Sequence, residues 1–157
     1  VARLLIVAVA GRLPAWSETA CGEYLKRMPR GYETRRITVK PEARGAGRRV
    51  EQLLAAEAKR IGGVLPAGAL RVALDERGSE LSTAQFAARL RDWLSSSAQL
   101  TFVIGGADGL DGAILRSSAF RLRLSAFTLP HALAQVLLCE QLYRAASLLT
   151  GHPYHRA

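Results

Sequence analysis

The sequence predicts an α/β fold with a mainly parallel sheet and helices on both faces. Three observations lead there. Short apolar runs rich in branched residues are followed by longer stretches of helical period. The two kinds of segment succeed one another along the whole chain, the order expected of a βαβ architecture. The first run is apolar throughout, as in strands covered on both sides, where alternation is lost. The 157 residues are enough for one domain, 1–157, with a core that needs no disulfide staples.

Arg3 to Val9 is the first expected strand, closed by Gly11. Pro14 then opens a helix on which Trp16, Ala20, Tyr24 and Met28 recur every four residues on one face. Pro29 and Gly31 stop it. Thr34 to Val39 reads as a second strand with Arg35, Arg36 and Lys40 projecting. After a loop at Pro41 to Gly47, a helix carries Val50, Leu53, Leu54, Ala58 and Ile61 on its apolar stripe, with Gly62 and Gly63 as its cap. Leu70 to Leu74 is a third strand. Ser82 and Gln85 form a capping box for a helix whose core face is Phe86, Leu90, Trp93 and Leu94. Leu100 to Ile104 is a fourth strand, Gly112 to Ala119 a short helix and Leu122 to Ser125 a fifth strand. The last helix runs from Pro130, a tolerated first-turn proline, to about Thr150, where Gly151 ends it.

Twenty-two basic residues stand against 13 acidic ones, a net charge of +9 and a pI near 10.5. Such a balance favours a polyanionic partner, of which nucleic acid is the commonest. The segment from Arg30 to Arg49 concentrates it, with Arg30, Arg35, Arg36, Lys40, Arg44, Arg48 and Arg49 against Glu33 and Glu42; it reads as a phosphate-contacting surface. Cys21 and Cys139 have no metal-ligand spacing and suit a reducing compartment. Cys139 falls in a helical apolar pattern and reads as buried packing. Ala8-Val9-Ala10 mimics a signal-peptidase site, but the preceding apolar stretch is short and Arg3 is its only basic flank, so a buried strand is expected there. No run approaches the ~20 apolar residues of a spanning helix. A cytoplasmic protein with no membrane association and no metal is the expectation.

In open α/β sheets, ligands bind outside the carboxyl ends of the strands. Three such ends carry chemistry here: Leu74-Asp75-Glu76-Arg77-Gly78, Ile104-Gly105-Gly106-Ala107-Asp108-Gly109, and Leu124-Ser125-Ala126-Phe127-Thr128-Leu129-Pro130-His131. The glycines spell neither a dinucleotide fingerprint nor a phosphate loop. Taken alone, they are equally a tight turn that needs positive φ. The third segment offers backbone groups that could read an adenine edge, with Leu124, Phe127 and Leu129 as walls. Taken alone, it is equally a plain strand-to-helix connection.

Together the three segments are specific. With LLIVAVAGRLPAW at the start, LDERG, IGGADGL, LSAFTLPHALAQVLLCEQLYRA and the ending HPYHR, the chain resembles the ribosomal RNA large subunit methyltransferase H family of the SPOUT superfamily. The resemblance extends over the whole length. It implies a C-terminal trefoil knot, a homodimer whose active site uses both subunits, and S-adenosylmethionine as methyl donor without a metal. The implied substrate is N3 of a pseudouridine in 23S ribosomal RNA within the assembled ribosome. Family cofactor contacts carry over to Leu74, Gly105, Leu124, Ser125, Ala126, Phe127, Thr128 and Leu129. Where the family often has lysine after the glycine of the first loop, this chain has Gly78-Ser79, a departure that bears on RNA contact there.

Methyl transfer to an imide nitrogen needs in-line positioning and help in losing the N3 proton. The expected contributors are Arg144 and Arg156, holding the RNA or its developing anion, and Tyr154, orienting or stacking the base. His155 shares the same tail. Glu140, four residues before Arg144, positions it. His131 supports the cofactor loop. Two other readings stay open at this point: a SPOUT enzyme acting on another RNA such as tRNA, and a ribosome-binding protein that has lost the cofactor.

Overall fold

The structure is a computed structural model, and it describes residues 1–157 apart from 46, 152, 153 and 155–157. Ten elements follow in order: β1 (Ala2–Val9), α1 (Ala15–Lys26), β2 (Tyr32–Val39), α2 (Val50–Gly62), β3 (Leu70–Glu80), α3 (Thr83–Ser96), β4 (Gln99–Ile104), α4 (Gly112–Ser117), β5 (Phe120–Arg123) and α5 (His131–Thr150). The strands form one sheet in the order β2-β1-β4-β3-β5, with every neighbouring pair parallel.

β1 is buried from Leu4 to Val9, which explains its unbroken apolar run. Leu4, Ile6 and Ala8 face α1, α3 and α5 in a core that includes Phe86, Leu90, Phe102, Leu138 and Leu142. Leu5, Val7 and Val9 face the other way, against Ile61 of α2 and Ile114 of α4. Each fully buried large side chain in these layers contributes roughly 1.5–3 kcal/mol. The expected capping box is present: Ser82 Oγ accepts from the Gln85 N–H at 3.1 Å, and Gln85 Oε1 accepts from the Ser82 N–H at 2.8 Å. Gly151 ends α5 at φ +70.

The fold corrects several expectations. Tyr24 on α1 and Met28 just after it pack against the core as expected, but the fully buried positions of the helix are Ser17 and Cys21, and Trp16 is 55% exposed. The helix is turned by α5, against which Tyr24 meets Tyr143 at 6.1 Å between ring centroids. On α2, Val50 is exposed and Glu57 is buried in line with Leu53 and Ile61. Gly63 caps that helix in the right-handed region, at φ −68. β3 does not stop at Leu74. Leu74 and Ser79 both lie opposite Leu122, so residues 75–78 are extruded from the ladder. β5 begins and ends two residues earlier than predicted. Phe120 is anchored by Trp93 at 5.6 Å and lies under the Arg89 guanidinium, so Leu124 and Ser125 fall in the following loop.

Both cysteines are fully buried, where α1 meets α5. The hydrogen bond from Cys139 holds the Cys21 thiol down at about 6, and Arg36 adds to the effect against the cost of burial. Cys139 is pushed up by the same hydrogen bond and by burial. An acid whose folded pKa is depressed stabilises above its ordinary value, here 9.0, and that gain is lost as pH falls through about 6. Urea midpoints measured from pH 9 to pH 6 will therefore fall more steeply for the wild type than for Cys21→Ala. The excess slope is at most about 1.4 kcal/mol per pH unit. Parallel curves would mean that Cys21 is not ionised.

Candidate active site

The carboxyl ends of β1, β3 and β4 open into a cleft of about 1120 Å³. Leu74 and the extruded residues 75–77 form one wall, the Gly105–Gly109 turn another, and Thr128, Leu129 and His131 a third. A smaller cleft of about 360 Å³ adjoins it, sharing Leu74, Thr128 and Leu129 and continuing along Leu124, Ser125, Ala126 and Phe127. All eight residues expected at the cofactor border these two clefts. Phe127, expected as one of the walls, lines the smaller cleft and is 84% exposed.

Two glycines are there because backbone passes too close for a side chain. A Cβ on Gly105 would lie 2.3 Å from the Gly109 carbonyl oxygen. A Cβ on Gly78 would lie 2.5 Å from the Arg121 carbonyl oxygen, which lets the extruded segment rejoin the ladder. Positive φ is needed at Gly109 (+80), where the turn closes with its N–H on the Gly106 carbonyl at 3.1 Å. The tight-turn reading therefore holds for Gly109, while Gly105 is a close-approach glycine.

From Ser125 to Leu129 no backbone group bonds to another backbone group of the described residues. Arg123 instead holds the loop from beneath, its Nε donating to the Ser125 carbonyl at 3.1 Å and Nη2 to that of Ala126 at 3.3 Å. The Ser125 hydroxyl accepts from the Phe127 N–H at 2.9 Å. These contacts shape the loop and leave the N–H groups of Thr128 and Leu129 without backbone partners. His131 is half-buried, and its Nε2 lies 2.9 Å from Gln135 Nε2. Burial lowers its pKa, so the ring is neutral at pH 7 where it lines the cleft with the glycine turn.

The sequence pattern of a family described as "Predicted SPOUT methyltransferase" matches residues 2–155. The chain belongs to the SPOUT methyltransferase family. Among relatives, ribosomal RNA large subunit methyltransferase H of Dechloromonas aromatica (strain RCB) is 51% identical over 154 residues, 98% of each chain. The protein of that name from Verminephrobacter eiseniae (strain EF01-2) is 52% identical over 154 residues, 98% of this chain and 99% of its own. A solved structure concerned with the 2-OH methylation of C/U34 on tRNA superposes with a TM-score of 0.56 at 18% identity, covering 96% of this chain and 98% of its own. That likeness concerns the fold.

In this SPOUT methyltransferase the residues expected at the substrate are brought together, but away from the cleft. Arg144 Nε donates to Glu140 Oε1 at 2.7 Å, and Arg144 Nη2 donates to the Tyr154 hydroxyl at 3.3 Å. The guanidinium also stacks over the Tyr154 ring at 4.6 Å, and Tyr143 packs against that ring at 4.5 Å between centroids. Glu140 raises the Arg144 pKa further, securing its charge. Burial and then Glu140 push the Tyr154 phenol up, so it stays protonated. None of the three lines either cleft. His155 and Arg156 lie outside the described residues.

The structure divides the basic segment into paired and unpaired cations. Arg36 binds Glu18 at 2.6 Å, Arg48 binds Glu42 at 2.5 Å, and Arg44 binds Glu57 at 2.5 Å and Asp108 at 3.0 Å. Three of its seven cations are thus committed to carboxylates of the chain. Arg30, Arg35, Lys40 and Arg49 form no ion pair among the described residues. Glu57 was missed, and its signal was present: an acid at helical spacing between Leu53 and Ile61, on a buried face. Among the described residues no group of three or more His, Cys, Asp or Glu is gathered to hold a metal ion, and no helix is long and apolar enough to cross a membrane.

Proposed function

We propose that this chain transfers the methyl group of S-adenosylmethionine to N3 of a pseudouridine in 23S ribosomal RNA, on the assembled ribosome in the cytoplasm. In this reading it acts as a homodimer, and residues 1–157 form one domain with a trefoil knot in the C-terminal half. The observation that carries it is the meeting of the three strand-end segments at one pair of clefts, in a chain of this family. The cleft volume suffices for a nucleoside-sized ligand, since small-molecule sites usually run to about 300–1,000 Å³. Leu74, Ile104 and Leu129 supply apolar surface, and the 125–129 loop supplies backbone groups not spent on other backbone. These features suit an adenine held flat, with its edge read by main chain. When bound, the sulfonium compound supplies an electrophilic methyl carbon.

The chain's own residues do the rest. Holding donor and base in line makes transfer effectively unimolecular. Loss of the imide proton puts negative charge on the base, and Arg144 is a fixed cation that favours it. Glu140 sets the direction of the guanidinium. Tyr154 orients or stacks the nucleobase, with His155 and Arg156 completing the tail. Arg144 stands 13 residues after His131 on one helix, about 20 Å along its axis. That separation supports a composite site, in which Glu140, Arg144 and Tyr154 of one copy serve the cleft of another.

The test is to incubate the purified protein with methyl-labelled S-adenosylmethionine and intact ribosomes and to map the label. One labelled pseudouridine of the large-subunit RNA is the expected result. Label on tRNA, or none on ribosomal RNA, would overturn the reading.

A further inference from the structure

We infer that Arg44 is a positioning residue that holds the Gly105–Gly109 turn in register for the methyl donor, by tying Asp108 to the buried Glu57. The inference rests on the reading that the cleft binds S-adenosylmethionine. Glu57 is 2% exposed on a helix face that is otherwise apolar. A buried carboxylate persists only when paired and hydrogen-bonded. Here Glu57 Oε2 accepts from the Glu42 N–H at 2.8 Å and from Arg44 Nη1 at 2.5 Å. Its Oε1 is buried without a partner among the described residues, so those two donors are the contacts that hold the carboxylate in place.

The other edge of the same guanidinium faces the cleft. Arg44 Nε and Nη2 both donate to Asp108 Oδ2, at 3.2 and 3.0 Å. Arg44 Nη1 also reaches the Glu42 carbonyl at 2.7 Å. Asp108 sits at the tip of the turn that Gly109 closes onto Gly106. Pulling on Asp108 therefore sets the tilt of the whole turn, including the Gly105 and Gly106 peptides that face the cleft. One side chain thus joins the loop after β2, the interior of α2 and the turn after β4. The planar guanidinium can hold two carboxylates on separate edges, which a lysine cannot do with the same geometry. Engaged in this way, Arg44 is not free for the phosphate role its place in the basic segment suggested.

Binding of S-adenosylmethionine by calorimetry and turnover on ribosomes will test this in the full chain. Asp108→Asn leaves the Arg44–Glu57 pair intact, so it probes the latch without orphaning a buried charge. Asp108→Asn and Arg44→Ala should each weaken S-adenosylmethionine binding about tenfold, the effect of losing one charge-assisted contact. KM for the donor should rise by the same factor, with kcat at saturating donor within about twofold. The double variant should be no weaker than the worse single one, because both break one connection. Arg44→Lys should recover part of the affinity. Wild-type affinity in Asp108→Asn would overturn the latch alone. So would additive effects in the double variant. Failure of the wild type to bind the donor would instead overturn the cofactor reading beneath it. If Arg44→Ala does not fold, Asp108→Asn decides the matter by itself.

Discussion

Gly105→Ala will weaken S-adenosylmethionine binding by about 100-fold while the protein still folds. The added methyl would lie 2.3 Å from the Gly109 carbonyl oxygen and 2.4 Å from its carbon. Both are backbone atoms, so no side chain can swing aside, and the turn itself must move by a sizeable fraction of an ångström. Overpacking of this sort costs roughly 1–3 kcal/mol. The sheet can absorb such a cost, because Gly105 lies beyond the last residue of β4. The cleft cannot absorb it: a turn that moves to relieve the clash must be forced back for the donor to bind, and a cost near the upper end of that range is about 100-fold in affinity. Calorimetric titration checks the affinity, and circular dichroism checks the fold. Gly22→Ala is the control: nothing lies within 4 Å of that position, and it should bind as the wild type does. An unchanged affinity in Gly105→Ala would show that the turn does not touch the donor.

Arg144→Ala will slow single-turnover methylation by about 100- to 1,000-fold with saturating donor, leaving donor affinity unchanged. Removal of one preorganised group that stabilises developing negative charge has an effect of this order. The guanidinium is held by Glu140 at 2.7 Å and by the Tyr154 ring, so its position costs nothing at the moment of reaction. Glu140→Gln keeps the shape but loosens that hold, and its effect should be smaller. Tyr154→Phe keeps the stack and loses the hydroxyl contact at 3.3 Å, so its loss should also be smaller. Rates equal to wild type in Arg144→Ala would remove Arg144 from the chemistry. A loss of donor affinity equal to the loss of rate would place it at the cofactor instead.

The two predictions separate parts of the molecule that were legible to different degrees. The cleft residues stood out because each falls at a strand end, and strand ends are marked by apolar runs that stop at glycine or at polar residues. The Glu140–Arg144 pair was legible from its spacing of four on a helix, a local relation. That Tyr154 closes over the pair was not, because it rests on a packing contact with Tyr143 and Arg144 of α5 that spacing alone does not specify. The Arg30–Arg49 segment was legible only in part. Its charges were counted correctly, yet Arg36, Arg44 and Arg48 are committed to Glu18, Glu57, Asp108 and Glu42.

Local relations were therefore determined by the sequence alone: the order of strands and helices, the Ser82–Gln85 cap, the α5 stop at Gly151 and the three strand-end segments. Each depends on atoms a few residues apart, where propensity and periodicity suffice. Tertiary structure alone decided which face of α1 is buried, how far β3 runs, where β5 starts and which cations are free. Those outcomes depend on partners far away in the chain: Tyr143 for α1, Leu122 for β3, Trp93 for β5 and Asp108 for Arg44. A side chain's spacing says which direction it faces on its own element; only packing says what meets it there.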